Sequence, residues 1–296
     1  EVCRWIGCWA FSGTKDMERL LVVDGSNLLF QMFFGMPSRI VNRQGKAIQG
    51  TLGFTGALLK IIRMVRPTHA AVLFDGEHEN PRAAIDAGYK AIRPDYSKAA
   101  EDESPFSQIG DVYAALEFLG IKHAETTVCE TDDWIAGYAL SLEAESEMVI
   151  SSFDSDFFQL VNERVSVLRY RGKKTALCTP EFIRKKYGIE PGQYADLKSL
   201  TGDAADNIRG AKKIGLKTAA WLLNEFGTLE NILVNVGKIE KLSVRESILQ
   251  NMERLRKNYQ IIRLTGTGEL PFAMEELFYV DDGKRTNEVL KGIGVM

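Results

Sequence analysis

The chain has 296 residues, 45% of them hydrophobic and 26% charged, with a formal net charge of −3; it can bury a substantial core without disulfides or structural metals, as one large domain or a domain with a smaller lobe. The four cysteines, Cys3, Cys8, Cys129 and Cys178, form no CxxC pair, which argues against a zinc site and a disulfide framework and fits a reducing, cytoplasmic setting. No apolar run approaches the roughly 18 residues of a membrane span, no GxxxxGK[ST] or strand-following GxGxxG loop offers a nucleotide site, and His69, His78 and His123 stand apart without metal spacing.

Residues 1–16, EVCRWIGCWAFSGTKD, carry a short apolar patch and no convincing signal-peptide cleavage site. Orderly patterning starts only at Met17, so this stretch is expected to be a non-native or disordered extension. LLVVD (20–24) then predicts a buried strand, TLGFTGALLKIIRMV (51–65) a helix and AAVLFD (70–75) a second strand. Residues 76–104 are polar, contain Pro81 and Pro94, and lack an apolar stripe; a segment of that length inside a compact domain is usually functional. A helix over 105–120, a strand over 123–128, a helix over 132–145 and a strand over 148–152 follow. This alternation predicts an α/β fold with a mainly parallel sheet and helices on both faces. Beyond about residue 178 the pattern is helical, over 180–188, 191–203 and 215–227, with SVRESILQNMERLRKNYQIIRL (243–264) expected as one long helix. The expected division is therefore an extension (1–16), an α/β core (17–178) and a helical lobe (179–296).

The carboxylates fall at the ends of the expected strands. Asp24 closes the first, Asp75 the second; Glu130, Asp132 and Asp133 follow the third, and Asp154 and Asp156 the fourth. In a parallel sheet those ends share one edge, where ligands of such folds bind. Asp203 and Asp206 come from the helical region, three apart, and can share a face, as can Glu130 and Asp133. A single acid at a helix N-terminus is more often a cap. Nine together would repel and raise one another's pKa values, and bound cations relieve that. An oxygen-only set without His or Cys selects Mg²⁺ or Mn²⁺, and two such ions about 4 Å apart suit phosphodiester hydrolysis. Basic residues cluster at Arg169, Arg171, Lys173 and Lys174, at Arg184, Lys185 and Lys186, and at Arg209, Lys212, Lys213 and Lys217, as a phosphate-binding surface or a solvated face.

VVDGSN, FDGE, AGYKAIRP, ETDDWI, SSFDSDFFQLV and LTGDAADNIRGAKKIGLKTA, in that order, resemble the 5′ nuclease (flap endonuclease) family, in particular the 5′–3′ exonuclease domain of bacterial DNA polymerase I in standalone form. The resemblance spans roughly residues 19–226. It implies a metal-dependent 5′–3′ exonuclease or 5′-flap endonuclease acting on DNA with 5′ ends, flaps or nicks, as a monomer, with the nine acids holding two Mg²⁺ or Mn²⁺ ions. It further implies a helical arch at about 76–104, in which Arg82, Lys90 and Arg93 match basic positions beside the reacting phosphate and Tyr89 a residue near the scissile nucleotide. DNIRGAKKIGLKTA resembles a helix–two-turn–helix element that grips duplex DNA, implying contacts from Arg209, Gly210, Lys212, Lys213, Gly215, Lys217 and Thr218 and a K⁺ ion in its loop. The two glycines suggest close approach of backbone to phosphate. The chain departs from the family pattern at Thr131, at Ser151-Ser152-Phe153, at Arg209, at Ala211-Lys212-Lys213 and at the start of the arch, PRAAIDAGYK. Removal of RNA primers by the same chemistry, and non-catalytic binding of DNA structures, are the alternative readings.

Overall fold

The computed structural model describes residues 17–36, 38–76, 81–92, 103–266 and 269–296. The expected extension at 1–16, Arg93, His78 and, of the expected arch, residues 77–80 and 93–102 lie outside the described residues. Strands β1 (Arg19–Asp24), β2 (His69–Phe74), β3 (Lys122–Glu125), β4 (Glu147–Ser151), β5 (Val165–Arg169) and β6 (Ala176–Cys178) form one sheet in the order β3-β2-β1-β4-β5-β6. The first five pair in parallel and β6 closes the edge antiparallel.

The central strand shows why. RLLVVD is apolar on both sides, and alternate side chains of a strand point to opposite faces. Leu20 and Val22 join one core, Leu21 and Val23 the other. Both faces must therefore be covered, as parallel sheets require. Helices α1 (Gly25–Gly35), α2 (Gln49–Val65), α3 (Pro81–Ile85), α4 (Ile109–Phe118) and α5 (Thr131–Leu140) lie in the first half of the chain. The second half adds α6 (Pro180–Tyr187), α7 (Tyr194–Thr201), α8 (Leu216–Phe226), α9 (Leu229–Val234), α10 (Leu242–Leu249), α11 (Met252–Ile262) and α12 (Thr286–Gly292). Leu29, Phe54, Leu58, Leu116 and Val289 place α1, α2, α4 and α12 on one face. Ile135, Leu197, Leu222, Ile248 and Leu255 place α5, α7, α8, α10 and α11 on the core of the other, which runs without interruption from Leu20 to Leu277.

Where sequence and structure differ, local chemistry explains it. The helix expected at 105–120 opens with a tight 3-10 turn at Pro105–Gln108. The strand expected at 123–128 is the short β3, whose ends are exposed. Strands β5 and β6 were not expected, because basic and polar residues interrupt their apolar runs. The single helix expected over 243–264 is two, α10 and α11, broken at Gln250-Asn251. There the Asn251 side-chain amide donates to the Ser247 carbonyl at 2.6 Å, competing with the backbone ladder. The break lets α11 pack on α7.

A short antiparallel pair, β7 (Gly202–Asp203) and β8 (Ile208–Arg209), holds the loop between its strands. Gly202 has φ +80°, and a Cβ on Gly210 would lie 2.2 Å from the Thr201 carbonyl carbon and 2.5 Å from the Gly202 nitrogen. The close approach at Gly210 is thus to the chain's own backbone. Gly210→Ala is expected to cost about 2–4 kcal/mol, measured as a lowered urea midpoint; an unchanged midpoint would show that the pair relaxes freely.

Chain crossovers leave β1 in one direction, through β2 and β3, and return to continue from β4 in the other. The crevice beyond the carboxyl ends of β1 and β4 is the switch point at which such sheets bind ligands.

Candidate active site

Asp24 ends β1 and caps α1: one carboxylate oxygen accepts from the Asn27 amide at 3.0 Å and the other from the Ser152 hydroxyl at 2.8 Å. Burial, followed by the charge of Asp75, pushes its pKa up to about 7 against those two hydrogen bonds. Asp75, just past β2, accepts from the Thr131 amide at 3.0 Å, and its own amide donates to Ser26 at 2.9 Å. These bonds join the ends of β1, β2, β4 and α5 at one corner of the sheet.

Glu130 precedes α5, and Asp132 and Asp133 occupy its first turn. Burial, then the charge of Asp154, holds Asp132 well above the usual carboxylate range. Beyond β4, the Asp154 amide donates to Ser152 at 3.0 Å and its carboxylate accepts from the Asp156 amide at 2.8 Å. Burial raises Asp156 to about 7 even though Lys198 pairs with it. Burial is the largest influence on Asp203 and opposes its ionisation, but the bond and charge of Lys198 together with the Ala205 and Asp206 amides hold its pKa low. Asp156, Asp203 and Asp206 can each bring one oxygen within 4.8 Å of the others.

Of the nine predicted acids, Asp156, Asp203 and Asp206 lie within ligand distance of one another; the others are linked by charge, Asp75 and Asp154 acting on Asp24, Asp154 on both Asp132 and Asp156, and Asp203 on Asp156. Glu130 and Asp133 join them from the same turn of α5. Among the described residues, Arg82, Lys90 and Lys198 pair with acids of this group. Burial, with neighbouring carboxylates adding to it, holds Asp24 and Asp156 at about 7. Oxygen donors in mutual proximity fit a divalent cation.

The arch base folds onto this cluster. Arg82 follows Pro81 at the start of α3; it is buried, pairs with Glu130 and with Asp133 (2.6 Å), and donates to the Ile261 carbonyl on α11 at 2.9 Å. Its guanidinium thus ties α3, these acids and α11 together. Lys90 pairs with Glu130 and sits 4.9 Å over the Tyr89 ring. Its backbone has φ +55°, a costly conformation for a non-glycine residue, held by a 3.1 Å bond from its amide to the Asp206 carbonyl. The Tyr89 hydroxyl lies 3.4 Å from Glu130; burial, then that carboxylate's charge, keeps it protonated.

In the expected helix–two-turn–helix element, Lys212, Lys213, Gly215 and Lys217 are exposed around a turn leading into α8, and Thr218 is half-buried on its first turn. Open space surrounds Gly215. Arg209 is exposed on β8, away from the acids.

Lys198 was missed in the sequence. Burial would lower its pKa, but Asp156 and Asp203 raise it well above the usual lysine value, so it stays charged. The signal was available: it is one cation inside YADLKSLT, where Leu197 and Leu200 on either side mark a buried helix. Ser152 and Asn27 were missed too. The Ser-Ser-Phe departure supplies the hydroxyl on Asp24, and Asn27 accepts from the Phe153 amide at 3.1 Å.

Metal-free stability should fall with pH. At Asp24 and Asp156 the folded pKa of about 7 exceeds the ordinary 3.8, so the folded state holds the protons more tightly. Their stabilisation is complete below about pH 4 and is lost by about pH 7, costing several kcal/mol. Asp203, shifted the other way, works in the opposite sense only at lower pH. Urea unfolding in chelator at pH 5 and pH 8 is expected to show the loss, and Mg²⁺ at pH 8 to restore it.

The sequence family described as 5′-3′ exonuclease, N-terminal resolvase-like domain matches residues 19–188, and 5′-3′ exonuclease, C-terminal SAM fold matches residues 189–284. A thermostable DNA polymerase I of Thermus thermophilus is 36% identical over 247 residues, 83% of this chain; the chain spans only 28% of that relative's length. A 5′-3′ exonuclease of Buchnera aphidicola is 35% identical over 251 residues, 81% of each chain. Among solved structures, the bacteriophage T5 protein co-crystallised with metal ions superposes with a TM-score of 0.70 at 21% identity, covering 83% of this chain and 90% of that one. A complex of the T5 flap endonuclease with DNA and metal ions gives 0.67 at 22% identity, covering 83% of this chain and 89% of the T5 chain. At these identities the structural likeness is one of fold. The two family matches together cover residues 19–284, and the chain belongs to the 5′–3′ exonuclease family, whose members are nucleases.

Proposed function

We propose that this protein is a divalent-metal-dependent 5′–3′ exonuclease and 5′-flap endonuclease that hydrolyses DNA phosphodiester bonds, leaving a 5′ phosphate and a 3′ hydroxyl. One observation carries the reading: Asp156, Asp203 and Asp206 bring oxygen donors within 4.8 Å of one another, and Asp154 couples them by charge to Asp24 at the end of β1 and Asp132 at the start of α5. Asp24, Asp75, Glu130, Asp132 and Asp133 would hold one Mg²⁺ or Mn²⁺; Asp156, Asp203 and Asp206 would hold a second, with Asp154 between the two groups. Such ions supply activation of a water and neutralisation of the departing oxygen.

The chain's own residues do the rest. Ser152 and the Asn27 amide fix the Asp24 carboxylate, so its oxygens are aimed before substrate arrives. Lys198 keeps Asp156 and Asp203 from repelling each other. Lys90 offers an ammonium that can exchange Glu130 for a substrate phosphate, and Tyr89 beside it presents a ring to an unpaired base. Arg82 is a positioning residue, being committed to Glu130, Asp133 and Ile261. We assign Arg93 the family's remaining basic role on the resemblance alone. Lys212, Lys213, Gly215, Lys217 and Thr218 are proposed as the duplex-gripping element, with K⁺ in its loop, in a lobe spanning 179–296 that follows an α/β core at 17–178.

We further propose a monomer working in the cytoplasm, with RNA-primed 5′ ends within its substrate range. Among the described residues, no helix is long and apolar enough to cross a membrane. The direct test is incubation of a labelled 5′-flap duplex with Mg²⁺ or with chelator. Cutting that needs the metal is expected; binding without cutting under both conditions would support a non-catalytic DNA-structure binder instead.

A further inference from the structure

Outside the carboxylate cluster lies a cleft of about 450 Å³ between residues 86–89, β8 and α11. Its floor is apolar: the Tyr89 ring, Ile208 and Ile261. One stripe of α11, at Arg254, Lys257, Asn258 and Ile261, forms a wall, the spacing that puts side chains on one helix face. The loop from Asp203 to Arg209 separates this cleft from the acids: Asp206 belongs to the acidic side, Asn207 and Arg209 to the cleft. Tyr89 belongs to both, since its hydroxyl reaches Glu130.

The charges of the cleft are unevenly spent. Lys257 is paired with Asp86 at 3.0 Å, and the charge of Glu253, at the rim, acts on Arg256. Arg209 and Arg254 are both exposed, and among the described residues neither enters an ion pair. Two available guanidiniums over an apolar, aromatic floor suit a ligand that is anionic at one end and flat and apolar at the other. The volume is that of a small-ligand pocket and far too small for a duplex.

We propose that this cleft seats one unpaired nucleotide of the strand being processed, with its phosphate on Arg209 and Arg254 and its base against Tyr89, Ile208 and Ile261. The inference rests on the nuclease reading and adds a single-strand subsite beside the cutting site, on the far side of the β7–β8 loop. Guanidinium forks bind phosphate oxygens in pairs, and a base stacked on an aromatic ring adds affinity without sequence preference. The subsite therefore favours substrates with an unpaired 5′ segment over fully paired nicks.

The test uses the full chain with Arg254→Glu, a change at an exposed position whose side chain forms no ion pair, on two DNA substrates: a 5′-flap duplex and the same duplex nicked with no flap. The expected result is a KM about tenfold higher on the flap, kcat within about twofold, and no change in KM on the nicked duplex, which also serves as the control for folding. Arg254→Lys is expected to recover part of the loss. An equal rise in KM on both substrates would mean general surface charge and would overturn the proposal, as would no rise on either, or a fall in kcat without one in affinity. Failure of the unsubstituted protein to cut either substrate with Mg²⁺ would remove the nuclease reading itself, a separable outcome.

Discussion

Replacing Asp154 with asparagine is expected to lower kcat on a 5′-flap duplex by about a thousandfold, roughly 4 kcal/mol of transition-state stabilisation, while changing the dissociation constant for the same DNA less than about tenfold. Asp154 is the acid through which the two halves of the cluster meet. Its charge acts on Asp24 and Asp132 on one side and on Asp156 on the other. Asparagine keeps an oxygen to accept the Asp156 amide and keeps the backbone bond to Ser152, so the turn after β4 should survive. What is lost is one negative charge where a cation must sit. Asp24 and Asp132 should then ionise more readily, so residual activity should show an apparent pKa shifted down. Single-turnover cleavage and filter binding on one substrate separate the two effects; equal losses in both would point to a disrupted fold or a binding role.

Lys90→Ala is the second large effect, expected at about a hundredfold to a thousandfold in kcat, with Lys90→Arg recovering part of it. The ammonium is held at the mouth of the acidic cluster by three constraints: the pair with Glu130, the Tyr89 ring, and a left-handed backbone bonded to Asp206. A strained residue kept in place by so many partners is typical of a functional position. Glu130 retains Arg82 in the variant, so the buried carboxylate is not orphaned and stability should change little. Unchanged single-turnover rates would remove Lys90 from the chemistry and leave it a role in holding the arch base.

The parts of the fold legible in the sequence were those written by burial on two sides. LLVVD, AAVLFD and MVISS are apolar throughout because each lies in the middle of a covered parallel sheet, and their carboxyl ends could be located to within a residue. That was enough to see that Asp24, Asp75 and Asp154 share an edge. β5 and β6 were not legible, because SVLRYRGKKT mixes apolar and basic signals and β6, at the sheet edge, has only three residues. The α10–α11 break was hidden because its apolar spacing continues through Asn251; only that side chain's bond to Ser247 shows the interruption.

At the site, residue types were legible and partnerships were not. The sequence offers Arg82 and Lys90 as equal cations, yet Arg82 is buried against Glu130, Asp133 and a carbonyl of α11, whereas Lys90 pairs with Glu130 and lies over the Tyr89 ring. Gly210 looked like a residue for approach to phosphate, but its missing Cβ is needed by Thr201 and Gly202. Lys198 was passed over because a lysine in a helix is ordinarily solvent-facing; three-dimensional packing of α7 against the acids is what buries it.

The claim on which all of this depends is that the acidic corner of the sheet is built to hold hard divalent cations. Crystals soaked in Mn²⁺ and measured at the manganese absorption edge test it without reference to activity. Anomalous peaks are predicted among Asp24, Asp75, Asp132 and Asp154 and among Asp156, Asp203 and Asp206, with the peak beside Asp154 lost in Asp154→Asn. Manganese found only at scattered surface carboxylates, with the corner still closed by Lys90 and Lys198, would contradict the account.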